Sequence, residues 1–154
     1  MLSLRQTHLA ICGATLAVIL GAWGFEYFGY APCELCLMQR YAYYTVIPLS
    51  LLLALQPPGI QRMGLYLVAL IMLGSMIFGI YHAGVEWKFW AGPSTCTGGS
   101  LTGGLPDLTR KAVMCDQPAI RILGLSLAGW NAVVSAAVTI FALRAVQGSS
   151  SASQ

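Results

Sequence analysis

Charge is scarce in this chain. Only 8% of its 154 residues are charged, eight basic against five acidic, where an ordinary soluble domain carries roughly a quarter. A soluble fold could not keep such a surface in water. The sequence also has no internal repeat, no phosphate-cradling glycine loop and no basic patch, which excludes repeat arrays, that form of nucleotide binding and nucleic-acid partners. What fills the space is apolar: 57% of the residues are hydrophobic.

The apolar residues fall into four runs, 9–28, 37–55, 63–81 and 122–143. A helix of about twenty residues spans the roughly 30 Å hydrocarbon core of a bilayer, and these runs are apolar all round rather than on one face. The pattern predicts an all-α membrane protein: a four-transmembrane-helix bundle forming one domain over residues 1–146, with a small polar tail, 147–154, left disordered. Arg5 ahead of an apolar run and Ala22-Trp23-Gly24 loosely fit a signal peptide. The run is long for one and bulky residues follow at once, which favours a retained helix. An even number of spans puts both termini and the link near residues 56–62 on one side, and all but one of the cysteines on the other.

Lys/Arg counting does not orient the bundle. The side of the termini carries Arg5, Arg62 and Arg144, and the cysteine side carries Lys88, Arg110, Lys111 and Arg121, with Arg40 near its surface. Cysteine pairs persist in an oxidising compartment, so redox chemistry places their side in the periplasm of a bacterial inner membrane and both termini in the cytoplasm.

Gln56-Pro57-Pro58-Gly59 predicts a tight reversal between the second and third helices. Pro48 lies inside the second run, where it removes a backbone hydrogen bond and is expected to kink the helix. The long polar loop, about 83–121, is broken by Pro93, Gly98-Gly99, Gly103-Gly104, Pro106 and Pro118. Trp87, Phe89 and Trp90 at its start suit a segment in the headgroup layer.

Within this frame the chemistry-bearing residues are few. Cys33-Glu-Leu-Cys36 stands at the predicted start of the second helix, where unpaired amides and the partial positive charge of the helix end favour a thiolate. Arg40 follows Cys36 by one turn, so Cys36 is expected to be the stabilised thiolate and Cys33 the sulfur that meets another disulfide. The same CxxC could be half of a zinc site completed by Cys96 and Cys115, although an exposed thiol cluster in an oxidising compartment should oxidise rather than hold metal. Cys96 and Cys115 bracket the loop, and a bridge there would contribute roughly 3 kcal/mol as a staple; beside a CxxC it could equally be a labile, catalytic disulfide. Arg40 is an interfacial anchor or a ligand-binding group. His82 and Glu86 are proton carriers or interface markers, Glu26 and Asn131 are packing groups by the simplest reading, and Cys12 is a small apolar residue with no evident partner.

Pro32-Cys33-Glu-Leu-Cys36-Leu-Met-Gln39-Arg40, Tyr81-His82-Ala-Gly84-Val-Glu86, the loop with Cys96 and Cys115, and Gly129-Trp130-Asn131 together resemble the bacterial disulfide bond formation protein B (DsbB) family over about residues 25–141. The resemblance implies a thiol oxidoreductase of the inner membrane that passes electrons to ubiquinone or menaquinone and reoxidises a soluble periplasmic DsbA-type thioredoxin-fold oxidase. It implies catalytic roles for Cys33, Cys36, Cys96 and Cys115, with Cys33/Cys36 coupled to quinone and Cys96/Cys115 meeting the partner. Arg40, with Cys36 and more weakly His82, would form the quinone site, and no metal is expected. A quinone reductase of the vitamin K epoxide reductase type joins similar elements, but there the loop pair precedes the CxxC, whereas here it follows. A thiol-rich membrane metal-binding or transport protein is the reading from another class.

Overall fold

The computed structural model describes residues 2–93, 96 and 114–151. It is mostly helical: α1 (Leu4–Tyr27), α2 (Glu34–Leu53), α3 (Pro58–Glu86) and α4 (Leu127–Ser151), with a two-stranded antiparallel hairpin, β1 (Arg121–Ile122) and β2 (Leu125–Ser126), just before α4. Three helices are long and apolar enough to cross a membrane: α1, α3 and Leu127–Ser149 of α4. The twenty-residue α2, with Glu34, Gln39 and Arg40 in its first two turns, is not among them.

Each helix begins for a local reason. Ser3 caps α1 in a reciprocal box, accepting from the Gln6 amide while the Gln6 side chain accepts from the Ser3 amide. Cys33 caps α2 with its sulfur. Pro58 opens α3 at the first helical position, where a missing N–H costs nothing. The expected reversal at Gln56-Pro57-Pro58-Gly59 is therefore shorter than its motif, because Pro58 and Gly59 already belong to α3.

The buried stripes run at helical spacing: Thr7, Ile11, Thr15 and Ile19 on α1; Leu35, Gln39, Tyr43, Val46 and Ser50 on α2; Leu65, Val68, Met72, Ser75, Gly79, His82 and Glu86 on α3. Ile11, Tyr43, Val46, Leu65, Met72, Val138 and Val146 meet in the central core. Polar groups are inside while Leu20, Leu52, Met63, Leu70, Ile77 and Ile140 are exposed on the outside, the reverse of a water-soluble bundle and the arrangement suited to lipid. Gly79 lets α3 and α4 approach, since a Cβ there would meet the Ala132 backbone nitrogen at 2.9 Å. Asn131 Nδ2 donates to the Ser75 carbonyl at 3.3 Å, and Ser135 Oγ joins Ser75 Oγ and the Tyr43 hydroxyl. Such interhelical bonds contribute about 0.6 kcal/mol each.

The boundaries differ from the sequence reading in three ways. The third helix extends at both ends beyond 63–81, so Ala83–Glu86 are helical rather than loop. The fourth begins at Leu127, not 122, because Leu123 (φ 52°) and Gly124 (φ 84°) make a tight reversal that folds the preceding residues into a hairpin. It also continues to Ser151, so helix is found where the sequence reading expected a disordered tail from 147 to that point. Residues 152–154 and the loop breakers Gly98-Gly99, Gly103-Gly104 and Pro106, with Arg110 and Lys111, lie outside the described residues. Helix α2 passes through Pro48 without interruption.

Candidate redox site

Two short segments converge on the ends of α2 and α3. After α3 the chain turns at Lys88 (φ 62°) and folds back, so that the Trp90 ring stacks on Tyr81 and donates its Nε1–H to the Tyr81 carbonyl at 2.9 Å. Gly84 makes room for it: a Cβ there would lie 2.1 Å from the Trp90 ring. Trp90 is thus packed on the helix end while keeping part of its surface exposed. Lys88 pairs with Asp116, which joins the limb leaving α3 to the limb carrying Cys115, and the Lys88 ammonium holds the Asp116 carboxyl below the usual carboxylate range.

This fold-back brings all four loop and CxxC sulfurs together. Cys96 and Cys115 form a disulfide with Cα atoms 5.2 Å apart. Both are buried in one cluster with Cys33 and Leu35, and Cys36 and Phe78 pack at its edge. Cys12, by contrast, is half-buried on α1 and remote from the cluster in sequence and element.

Cys33 and Cys36 are free thiols whose sulfurs lie 2.7 Å apart and share a hydrogen bond. The N-cap position decides which carries charge. Cys33 Sγ also accepts the Cys36 backbone N–H at 3.2 Å and lies 3.6 Å from His82 Nε2. The bond from the Cys36 thiol, helped by His82 and opposed by burial, lowers the Cys33 thiol to about 5. In the dithiol state the thiolate is therefore Cys33 rather than Cys36, because a cap side chain points back at the orphan amides of its helix. Stabilising a thiolate stabilises the reduced pair, which makes its disulfide a better electron acceptor.

Cys36 faces another way. It lines a cavity of about 380 Å³ between α1, α2 and the start of α4, together with Gln39, Arg40, Tyr43, Trp130 and Asn131 among mostly apolar walls. That volume lies in the usual range for small-molecule sites. Arg40 is held there by an ion pair to Glu26 of α1, Nη1 to Oε2 2.9 Å. Gln39 is largely buried and its Nε2 has no hydrogen-bond partner among the described residues. A buried donor without an acceptor is costly, and a carbonyl-bearing ring in the cavity would satisfy it. Apolar walls, an arginine and an orphaned amide suit a quinone.

His82 is not on that cavity. It is fully buried on the sulfur side, against Cys33 and 3.9 Å from Glu86 Oε1 one turn along α3. The sequence alone gives neither the pairing of Glu26 with Arg40 nor the unpaired Gln39 donor; its one signal is Gln39-Arg40, three and four residues after Cys36, one turn along the helix.

The sequence profile of the family described as "Disulfide bond formation protein DsbB" matches residues 4–145. The Disulfide bond formation protein B of Azoarcus sp. (strain BH72) is 32% identical over 147 residues, covering 87% of this chain and 85% of that one. Disulfide bond formation protein B 1 of Pseudomonas entomophila (strain L48) is 32% identical over 151 residues, covering 90% and 88%. A Rickettsia prowazekii (strain Madrid E) protein, RP370, is 29% identical over 146 residues, covering 89% and 84%. No solved structure matches. With a family match across nearly the whole chain, apolar helices of spanning length and buried cysteine pairs, the chain belongs to the DsbB family of membrane oxidoreductases of disulfide-bond formation.

Proposed function

We propose that this protein is a thiol:quinone oxidoreductase that reoxidises a periplasmic DsbA-type dithiol, with α2 as its fourth span, the cysteine loops periplasmic and both termini cytoplasmic. One observation carries the reading: Cys33 shares a buried cluster with the Cys96–Cys115 disulfide, while Cys36, next to it, opens on the cavity of Arg40 and Gln39.

The sulfur chemistry follows from that placement. A partner thiolate attacks Cys96, breaking the bond to Cys115 and leaving a Cys115 thiolate. The partner's second thiol then displaces Cys96 and departs as a disulfide, so two electrons reside on Cys96 and Cys115. Cys115 attacks Cys33 of an oxidised CxxC and Cys36 leaves as thiolate. Cys96 then attacks Cys115, restoring the loop disulfide and releasing Cys33, which its cap amide and His82 receive as a thiolate. A quinone held in the cavity would supply a two-electron, two-proton acceptor for what the Cys33/Cys36 pair gives up as it closes again. Arg40 and Gln39 would hold it by hydrogen bonds, and Trp130 and the apolar walls would exclude water.

The deciding experiment follows quinone absorbance in purified protein before and after adding a reduced DsbA-type partner. Stoichiometric quinol formation is expected. Partner oxidation with no change in quinone would overturn the quinone step and leave only thiol exchange.

A further inference from the structure

The sulfur side of the CxxC carries a grouping of donors that the electron path uses only in part. His82 and Glu86 lie at i and i+4 on one face of α3 and are both buried; His82 Nε2 is 3.6 Å from Cys33 Sγ, and Glu86 Oε1 is 3.9 Å from that same ring nitrogen. One ligand atom each from Cys33, Cys36 and His82 lies within 4.8 Å of the others. Beside them is a small space of about 20 Å³ whose lining includes Cys33, Cys36 and Glu86, room for one water or one ion. Glu86 is 8% exposed, and its Oε2 has no hydrogen-bond partner among the described residues.

We propose that, in the reduced state only, Cys33, Cys36, His82 and Glu86 form a tetrahedral site for zinc(II) or a similarly thiophilic divalent ion, and that the bound ion stops turnover. This rests on the thiol:quinone reading for its consequence but not for its chemistry. Two thiolates, an imidazole and a carboxylate are a donor set zinc prefers. With Zn–S about 2.3 Å and Zn–N about 2.0–2.1 Å, a tetrahedron sets sulfur and nitrogen about 3.5 Å apart, and Cys33 Sγ to His82 Nε2 is 3.6 Å. The two sulfurs must open by about 1 Å from contact to reach their tetrahedral spacing, a rotation of the Cys36 side chain. Binding displaces the remaining thiol protons and moves no electrons. A Cys33–Cys36 disulfide has no thiolate to offer, so the oxidised enzyme does not bind. Loaded, the pair can neither close nor be attacked.

The test uses the full chain with Cys12→Ala, Cys96→Ser and Cys115→Ser, so that the CxxC holds its only thiols, reduced and then titrated with cobalt(II) as a spectroscopic substitute for zinc. One cobalt per chain is expected, with a sulfur-to-metal charge-transfer band and intense tetrahedral d–d bands, displaced by zinc and absent after the pair is oxidised. His82→Ala is expected to weaken binding by about 10- to 100-fold or more; should it fail to fold, Glu86→Gln reads the same ligand set. No cobalt bound, equal binding by oxidised protein, or binding unchanged in the folded variants would overturn the site. In the wild-type enzyme, zinc added during turnover is expected to inhibit, reversibly by chelation; uninhibited turnover by a metal-loaded pair would overturn the regulatory part. Quinone reduction without metal binding would sink this proposal alone, and cobalt binding by a protein that never reduces quinone would sink the redox reading instead.

Discussion

The protein has two histidines, both fully buried, at opposite ends of the bundle, and they do different things. His8 on α1 bonds through Nε2 to the Gln61 carbonyl at 3.0 Å, and the Gln61 side chain donates in turn to the Ala54 and Gln56 carbonyls. That is a knot of backbone acceptors closing the α2–α3 reversal. His82 on α3 meets a thiol and a carboxylate instead. Burial is the same, so burial does not mark function; the chemistry of the partner does. A ring against a carbonyl fixes a helix, whereas a ring against a sulfur changes that sulfur's charge.

The comparison is broken most severely at the other sulfur pair. Cys96→Ser is expected to abolish both partner capture and turnover. Cys115→Ser should leave Cys96 able to hold a partner in a mixed disulfide that does not resolve, because the resolving thiol must sit beside the attacked sulfur. Non-reducing gels with a reduced DsbA-type partner separate the two. Adducts of equal strength in Cys96→Ser would reverse the assignment.

The next effect is on pH. Cys33 in the dithiol falls from the ordinary thiol value near 9.0 to about 5, so its folded value is depressed. The stabilisation this gives the reduced, folded protein is fully present above the unfolded value near 9 and is lost as pH falls through about 5. The alkylation rate of Cys33 in reduced protein, whatever burial makes its absolute value, should therefore stay at its plateau down to about pH 6, where an ordinary thiol has fallen about a thousandfold below its own. A half-maximal rate near pH 9 would remove the cap-thiolate argument.

Exchanging the histidines sharpens the contrast. His82→Ala deprives Cys33 of one hydrogen-bonded neighbour and is expected to cut turnover by about 10- to 100-fold, the equivalent of a charge-assisted bond of about 1.5 to 3 kcal/mol. His8→Ala should cost about 1 to 3 kcal/mol of stability and leave turnover per folded molecule unchanged. Thermal unfolding and steady-state turnover measured on both variants would show the crossing, and equal losses of turnover would erase the distinction.

What was legible in the sequence divides along the same line. Long apolar runs and a CxxC behind a proline announce themselves locally, so the helices and the cysteine order could be read. The reach of α3 to Glu86 could not, because the chain turns polar at His82 before the helix ends, and polar residues on a buried stripe look like loop. The hairpin before α4 depends on two consecutive positive-φ residues, one of them Leu123, which no turn preference announces. The pairing of Cys33 with His82 joins residues 49 apart in sequence, and Arg40 with Glu26 joins two helices. Contacts between elements have no local signature, and they are what separates Cys36, on the cavity, from Cys33, on the sulfur cluster.

The smallest effect tests the cavity side. Arg40 is only partly exposed and is held by Glu26 against the wall that Cys36 and Gln39 share. If the guanidinium were only an interfacial anchor, Arg40→Lys would change nothing, since both side chains snorkel and carry one charge. A planar fork can bind Glu26 with one face and present further N–H donors to a quinone oxygen, whereas an ammonium must choose between them. Arg40→Lys is therefore expected to raise the apparent Michaelis constant for quinone by about tenfold and Arg40→Ala by up to about a hundredfold. The constant for the reduced partner should hold, because Cys96 lies on the other side of the CxxC, in the sulfur cluster. Steady-state kinetics with quinone and partner varied separately decide it, and a quinone dependence unchanged in both variants would leave Arg40 as an anchor and the cavity without its polar end.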